Sequence, residues 1–270
     1  MVLSRRLQML ADMVTPGNSV ADVGCDHAFL SIYLIQAGIS PHVLAMDVRK
    51  GPLAAAREHI EGSGLNTYIK LRLSDGLDGL GEGEAETVLC AGMGGRLMER
   101  ILKAGETKAR AMKELILQPQ SELKEFRAFL RQAGYRILAE NGVYEDGKYY
   151  FAMKAAYAGA AWEGETCRGA VAYGGDALEQ ETCQGTDAGR VKTGVDEQLQ
   201  DIFDEYGELM LAGRHPVLKQ YLLQKQEKVK CILDELEAEY SPGRVGKAFE
   251  FRQEFEKLAA VLTWFEEGTC

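Results

Sequence analysis

No apolar run in this sequence approaches the roughly 18 residues that a membrane span requires, and the first residues carry no signal-peptide h-region. The cytoplasm is the expected compartment. Close cysteine pairs are also missing: the six cysteines stand at 25, 90, 167, 183, 231 and 270. That spacing suits neither a zinc knuckle nor a disulfide framework, so buried free thiols and no metal site are expected. No histidine, serine or cysteine partnership stands out for a nucleophilic triad, which leaves covalent catalysis unsupported. The run Gly24-Cys25-Asp26-His27-Ala28-Phe29 holds one glycine where a dinucleotide fingerprint has three, so a pyrophosphate cradle fits poorly.

What is present reads as a globular protein. The 270 residues are 46% apolar and 27% charged, enough for one sizeable core plus an appendage. The net charge of −10 is unevenly placed. Residues 1–158 balance 19 Lys+Arg against 19 Asp+Glu, 159–209 carry 3 against 12, and 210–270 carry 9 against 10. The acidity belongs to one segment, so the global charge says little about whether the rest meets nucleic acid.

Hydrophobic periodicity predicts a helix from Arg5 to Val14 with Ser4 as N-cap, then alternating strands and helices. The strands fall at 19–23, 42–46, 68–73, 87–91 and 115–117. Helices are expected at about 27–37, 53–61, to about 103, and around Phe126, Phe129 and Leu130. A hairpin at 135–141 and 149–154 closes the series. Five such alternations predict a doubly wound, Rossmann-like α/β sheet, with ligands bound at the carboxyl ends of its strands. From 157 to 197 periodicity dissolves into an acidic stretch expected to be a linker. Residues 198–270 then predict a helix over 199–211 and two long helices meeting at Ser241-Pro242-Gly243, an antiparallel, coiled-coil-like hairpin. Domain boundaries are therefore expected at 1–156, 157–197 and 198–270.

The unusual loops all fall at those carboxyl ends. Val20–Val23 breaks at Gly24, as a buried strand does before a helix at a nucleotide site. Asp47 ends the next apolar run, where a carboxylate accepts from a ribose diol. Asp26 disfavours an anion and welcomes a sulfonium and an ammonium, which together point to S-adenosyl-L-methionine. Asp75, beside Gly76 and Leu77, suits an adenine amine. Capping by Asp26 and an Asx-turn at Asp75 remain competing explanations. Ala91-Gly92-Met93-Gly94-Gly95 allows close backbone approach to a methionine tail or a flat base, with tight strand–helix packing as the alternative. His27 stands at the same sheet edge, where capping competes with a catalytic role.

Taken together, Leu3-Ser4-Arg5-Arg6-Leu7, Ala21–Leu30, Gly51-Pro52-Leu53, Ser74–Leu77, Ala91–Gly95 and Leu115–Pro119 resemble the bacterial tRNA (adenine-N1)-methyltransferases that modify position 22, the TrmK family. The resemblance covers about 1–155 closely and the C-terminal helices more loosely. Cys25 stands where the family commonly has a small hydroxyl residue, and the acidic 157–195 stretch departs from its pattern. The resemblance implies a class I methyltransferase domain, S-adenosyl-L-methionine as cofactor, tRNA as partner, and a monomer or weak oligomer. It places the cofactor against Gly24, Cys25, Asp26, His27, Asp47, Val48, Asp75, Gly76, Leu77, Ala91, Gly92, Met93 and Gly94. The tRNA falls to Arg5, Arg6, Arg49, Lys50, Gly95, Arg96, Gln118 and Pro119, with Arg100 and the lysines of the C-terminal helices as further phosphate contacts. Asp26 and Arg6 are the candidate catalytic groups, an exposed ion pair being the rival account of Arg6.

Overall fold

A computed structural model describes residues 2–159, 197–238 and 242–266. Its strands are β1 (Val20–Val23), β2 (Val43–Asp47), β3 (Ile69–Leu73), β4 (Thr87–Met93), β5 (Glu114–Pro119), β6 (Tyr135–Glu145) and β7 (Lys148–Tyr157). They form one sheet in the order β3-β2-β1-β4-β5-β7-β6. The first five are parallel and β7 runs antiparallel between β5 and β6. Every residue of β1, β2 and β5 is buried, which is why these strands read as continuous apolar runs: helices cover both faces of a parallel sheet. Strand order reverses between β1 and β4, so their carboxyl ends diverge into a crevice.

The helices of the first half are α1 (Arg5–Met13), α2 (Phe29–Gln36), α3 (Lys50–Gly62), α4 (Gly95–Ala104), α5 (Glu106–Ala111) and α6 (Leu123–Gln132). Leu10, Ile32, Ile60 and Ile116 belong to the core on one face of the sheet. Leu77, Met98, Leu102, Phe126 and Leu130 belong to the core on the other. The Ser4 hydroxyl caps α1 by accepting from the Leu7 N–H at 3.3 Å. Helix α2 begins at Phe29 and not at 27, because Asp26 (φ 50°) and Ala28 (φ 58°) stand in the left-handed region and cannot continue a right-handed turn.

Beyond 160–196 come α7 (Glu197–Tyr206), α8 (Glu208–Ala212), α9 (Pro216–Ala238) and α10 (Pro242–Thr263). The single helix expected over 199–211 is split at Gly207, which adopts φ 91°. Helix α5 was hidden from periodicity because six residues hold less than two turns. Lys225 of α9 meets Glu254 of α10 at 2.6 Å, and Glu237 pairs with Arg252, so the two long helices run antiparallel. Their Leu218, Leu222, Val229, Leu258 and Val261 share a core with Phe151 of β7 and with Tyr206 and Met210. The expected acidic linker falls almost wholly at 160–196, outside the described residues, as does 241 of the expected turn at 241–243, whereas Pro242 and Gly243 belong to the start of α10. No described helix is long and apolar enough to cross a membrane. Cys25 and Cys90 are buried free thiols and Cys231 is an exposed one.

Candidate active site

Parallel pairing aligns the strand ends that the sequence singles out. Val23 stands opposite Met46 on one side and Cys90 on the other, Asp47 opposite Leu73, and Ala91 opposite Gln118. Backbone bonds past the ladder tighten this edge. Gly24 and Cys25 both donate to the Met46 carbonyl, at 2.8 and 3.0 Å, and Ser74 donates to that of Asp47 at 3.0 Å. The structure therefore gathers Gly24, Asp47, Asp75 and Gly92 along one continuous rim spanning the crevice.

Each rim position has its own geometry. Gly24 adopts φ 76°, a conformation that favours glycine, and the terminal methyl of Met93 lies against it, 2.2 Å from where a Cβ would stand. Asp47 is buried, with one carboxylate oxygen accepting from the Arg49 N–H at 2.8 Å. Val48, next to it, is 59% exposed, an apolar surface facing water beside a carboxylate. Asp26 is 63% exposed and lies 3.7 Å from the half-exposed His27 ring. Its side chain does not cap α2, whose N-terminus has no side-chain cap. His27 and Phe29 stack at 5.8 Å, and His59 stacks on Phe29 at 4.8 Å while contacting the His27 carbonyl.

On the other side of the crevice Arg6 is drawn inward. Glu145 of β6 accepts from the Arg5 and Arg6 N–H groups at 2.5 and 3.2 Å, anchoring the start of α1. The Arg6 guanidinium donates to the buried Gln118 side chain at 3.1 Å and lies 5.5 Å from the Tyr150 ring centre. A Cβ on Gly92 would approach Arg6 Nη1 to 3.2 Å and Gln120 Nε2 to 3.7 Å. The rim floor at Gly92 (φ 77°) is thus backbone flanked by hydrogen-bond donors. Glu145, Gln120 and Tyr150 complete this half of the site and were missed in the sequence. They sit on the hairpin and the loop after β5, where Glu145-Asp146-Gly147 reads from the sequence only as a turn.

Several of the expected contact residues have other neighbours in the structure. Gly95 is buried, and a Cβ would strike the Ser121 carbonyl at 2.7 Å; it is a packing glycine between α4 and the loop at 121–122. The Leu77 side chain is in the core, and its carbonyl accepts from Lys108. Gly76 packs on Ile101, so of this trio only Asp75 remains exposed to the rim. Gly92, Met93, Gln118 and Pro119 lie within strands, where loops were expected. Arg5, Arg49, Lys50, Arg96 and Arg100 are exposed, in keeping with phosphate contact and equally with a solvated surface. Among the described residues Arg6 has no ion-pair partner within 4 Å, and its guanidinium donates to Gln118.

Asp22, buried in β1 beneath the Gly24 turn, is the most perturbed carboxyl of the site. Burial pushes it up to about 6 from 3.8, the Ser31 hydroxyl bond at 2.6 Å opposes that, and the Asp47 charge adds to it. Burial and the neighbouring carboxylates also drive the Cys25 thiol well above its ordinary value, and burial pushes the Cys90 thiol up to about 12. Neither is a nucleophile near neutral pH. A raised carboxyl costs stability once it must ionise: the penalty is absent below about pH 4 and complete above about pH 6. Asp22→Asn keeps the acceptor for Ser31 and is expected to raise the unfolding free energy from urea titration at pH 8, by up to ~3 kcal/mol, while changing it little at pH 4. An equal effect at both pH values would show that Asp22 does not titrate in this range. Among the described residues no group of His, Cys, Asp or Glu comes together as a metal site.

Residues 3–153 match the methyltransferase domain family. The tRNA (adenine(22)-N(1))-methyltransferase of Bacillus subtilis is 38% identical over 153 residues, 57% of this chain and 64% of its own length. The chain thus spans just under two thirds of that relative. The crystal structure of the B. subtilis m1A22 tRNA methyltransferase TrmK is 27% identical and superposes with a TM-score of 0.70, covering 97% of this chain and 99% of that one. Streptococcus pneumoniae Sp1610, solved in complex with S-adenosyl-L-methionine, is 26% identical with a TM-score of 0.71, covering 97% and 100%.

Proposed function

The chain belongs to the methyltransferase domain family, and from that premise we propose that it transfers a methyl group from S-adenosyl-L-methionine to N1 of adenine 22 in tRNA. The observation that carries this reading is the gathering of Gly24, Asp47, Asp75 and Gly92 on one rim across the strand-order reversal. The residues suit the cofactor chemically. Asp47 offers a buried, acceptor-only carboxylate to a diol, Asp26 an exposed negative charge to a cation, and Asp75 an acceptor to an exocyclic amine. When bound, the cofactor supplies an electrophilic methyl on a sulfonium.

The remaining work falls to positioning. Adenine N1 carries an in-plane lone pair, so in-line attack needs orientation more than a strong base. N1 lies on the pairing edge, so the base must enter unpaired or flipped. The backbone floor at Gly92, the Arg6 guanidinium held by buried Gln118 and the nearby Gln120 amide offer a flat base donors and an acceptor along its edges. Exposed Arg5, Arg49, Lys50, Arg96 and Arg100 would meet phosphates, which position but do not specify. Methyl transfer from labelled cofactor to total tRNA tests the proposal. Label released by RNase is the expected result; label that survives digestion, or no transfer with cofactor bound, would redirect it to another substrate.

A further inference from the structure

Beside the rim, the tip of the β6–β7 hairpin and helix α9 enclose a groove of about 570 Å³, lined in part by Gln120, Lys148, Tyr149, Tyr221 and Lys228. Gln120 belongs to both places: its backbone donates to the Met93 carbonyl at 2.8 Å and its side chain approaches Gly92. The groove therefore opens from the point where a target base would lie. Its floor is aromatic. Tyr149 and Tyr221 meet edge-on at 5.3 Å, and Tyr221 meets Phe151 at 5.5 Å.

The cations divide into two kinds. Lys225 is neutralised by Glu205 at 2.9 Å and Glu254 at 2.6 Å, so it fixes α9 and is not free for a ligand. Lys148 and Lys228 are exposed and have no ion-pair partner among the described residues. Tyrosine surfaces interleaved with free ammonium groups suit stacked bases on an anionic backbone. An acidic peptide would use the lysines and leave the rings without a flat partner.

We propose that this groove seats the single-stranded RNA that flanks the target base, with phosphates on Lys148 and Lys228 and a base against the Tyr149–Tyr221 edge. This rests on tRNA being the substrate. Wild-type transfer to tRNA is therefore measured first; its failure would sink the substrate reading and this proposal with it, whereas the variants below test the groove alone. The combined Lys148→Glu, Lys228→Glu variant is then compared with Lys70→Glu, an exposed lysine on the edge strand β3 at the opposite side of the sheet. The groove variant is expected to raise KM for tRNA about tenfold and flatten its salt slope by about 1.4, two phosphate contacts at ~0.7 each. Cofactor affinity stays within twofold and Lys70→Glu has no such effect. Tyr221→Phe keeps tRNA affinity and Tyr221→Leu loses it, at matched melting temperatures. An unchanged KM in the double variant, or an equal change from Lys70→Glu, would overturn the proposal.

Discussion

Asp47→Ala is expected to weaken S-adenosyl-L-methionine binding roughly 100-fold or more, as read by calorimetry. Asp47 is 5% exposed at the end of β2, and its proposed partners are two ribose hydroxyls, donors that a carboxylate alone can accept together. Hydrogen bonds to a charged group contribute about 1.5–3 kcal/mol each, and 1.4 kcal/mol is a factor of ten. The same carboxylate accepts from the Arg49 N–H, so truncation also loosens the turn into α3. Asp47→Asn separates the two effects: it retains an acceptor for Arg49 and the side-chain volume, but places a donor where one of the diol contacts needs an acceptor. It should melt near the wild type and still bind at least tenfold more weakly. Affinity within twofold of wild type for both variants would remove Asp47 from the cofactor site.

The second large effect concerns how the C-terminal helices are attached. Arg127 of α6 and Glu140 of β6 form an ion pair at 2.8 Å with side chains only 3% and 1% exposed. Arg127 also donates to the Asp204 and Glu205 carbonyls at 3.2 and 3.0 Å, where α7 ends. Glu140 in turn accepts from the Leu209 N–H at 3.1 Å in the first turn of α8. One buried pair thus satisfies backbone groups at two helix ends that would otherwise lack partners. Arg127→Ala leaves a buried carboxylate uncompensated, which typically costs 3–5 kcal/mol. That corresponds to a fall in melting temperature of about 10 °C. Adding Glu140→Gln to the same chain should recover part of the loss, because the stranded charge is removed. A loss below about 1 kcal/mol, or no recovery in the double variant, would mean the pair does not hold α7 and α8 to the sheet.

The sheet and the left half of the site were legible because their signals are local. A strand buried on both faces is a plain apolar run, and the residue after it must turn sharply; Gly24, Asp47 and Asp75 advertise those ends in the sequence. The right half was legible only in part. Arg6 could be singled out, but what aims it is an amide 112 residues away in Gln118 and a carboxylate 139 residues away in Glu145. No periodicity encodes such contacts. Leu77 and Gly95 were opaque for the opposite reason: each sits beside a rim residue, yet its own position packs into the core or against a loop. The split between α7 and α8 was concealed because Gly207 interrupts an otherwise helical apolar pattern, with glycine's cost in a helix of only about 1 kcal/mol giving little warning.

The most direct measurement is the position and chemistry of the product. Unmodified tRNA carrying adenine at position 22 is incubated with the full chain and S-adenosyl-L-methionine, digested, and analysed by mass spectrometry with reverse-transcription mapping. A single 1-methyladenosine at position 22, lost on Asp47→Ala, is the expected result. Methylation at another atom or another position, or none by a protein that binds the cofactor, would contradict it.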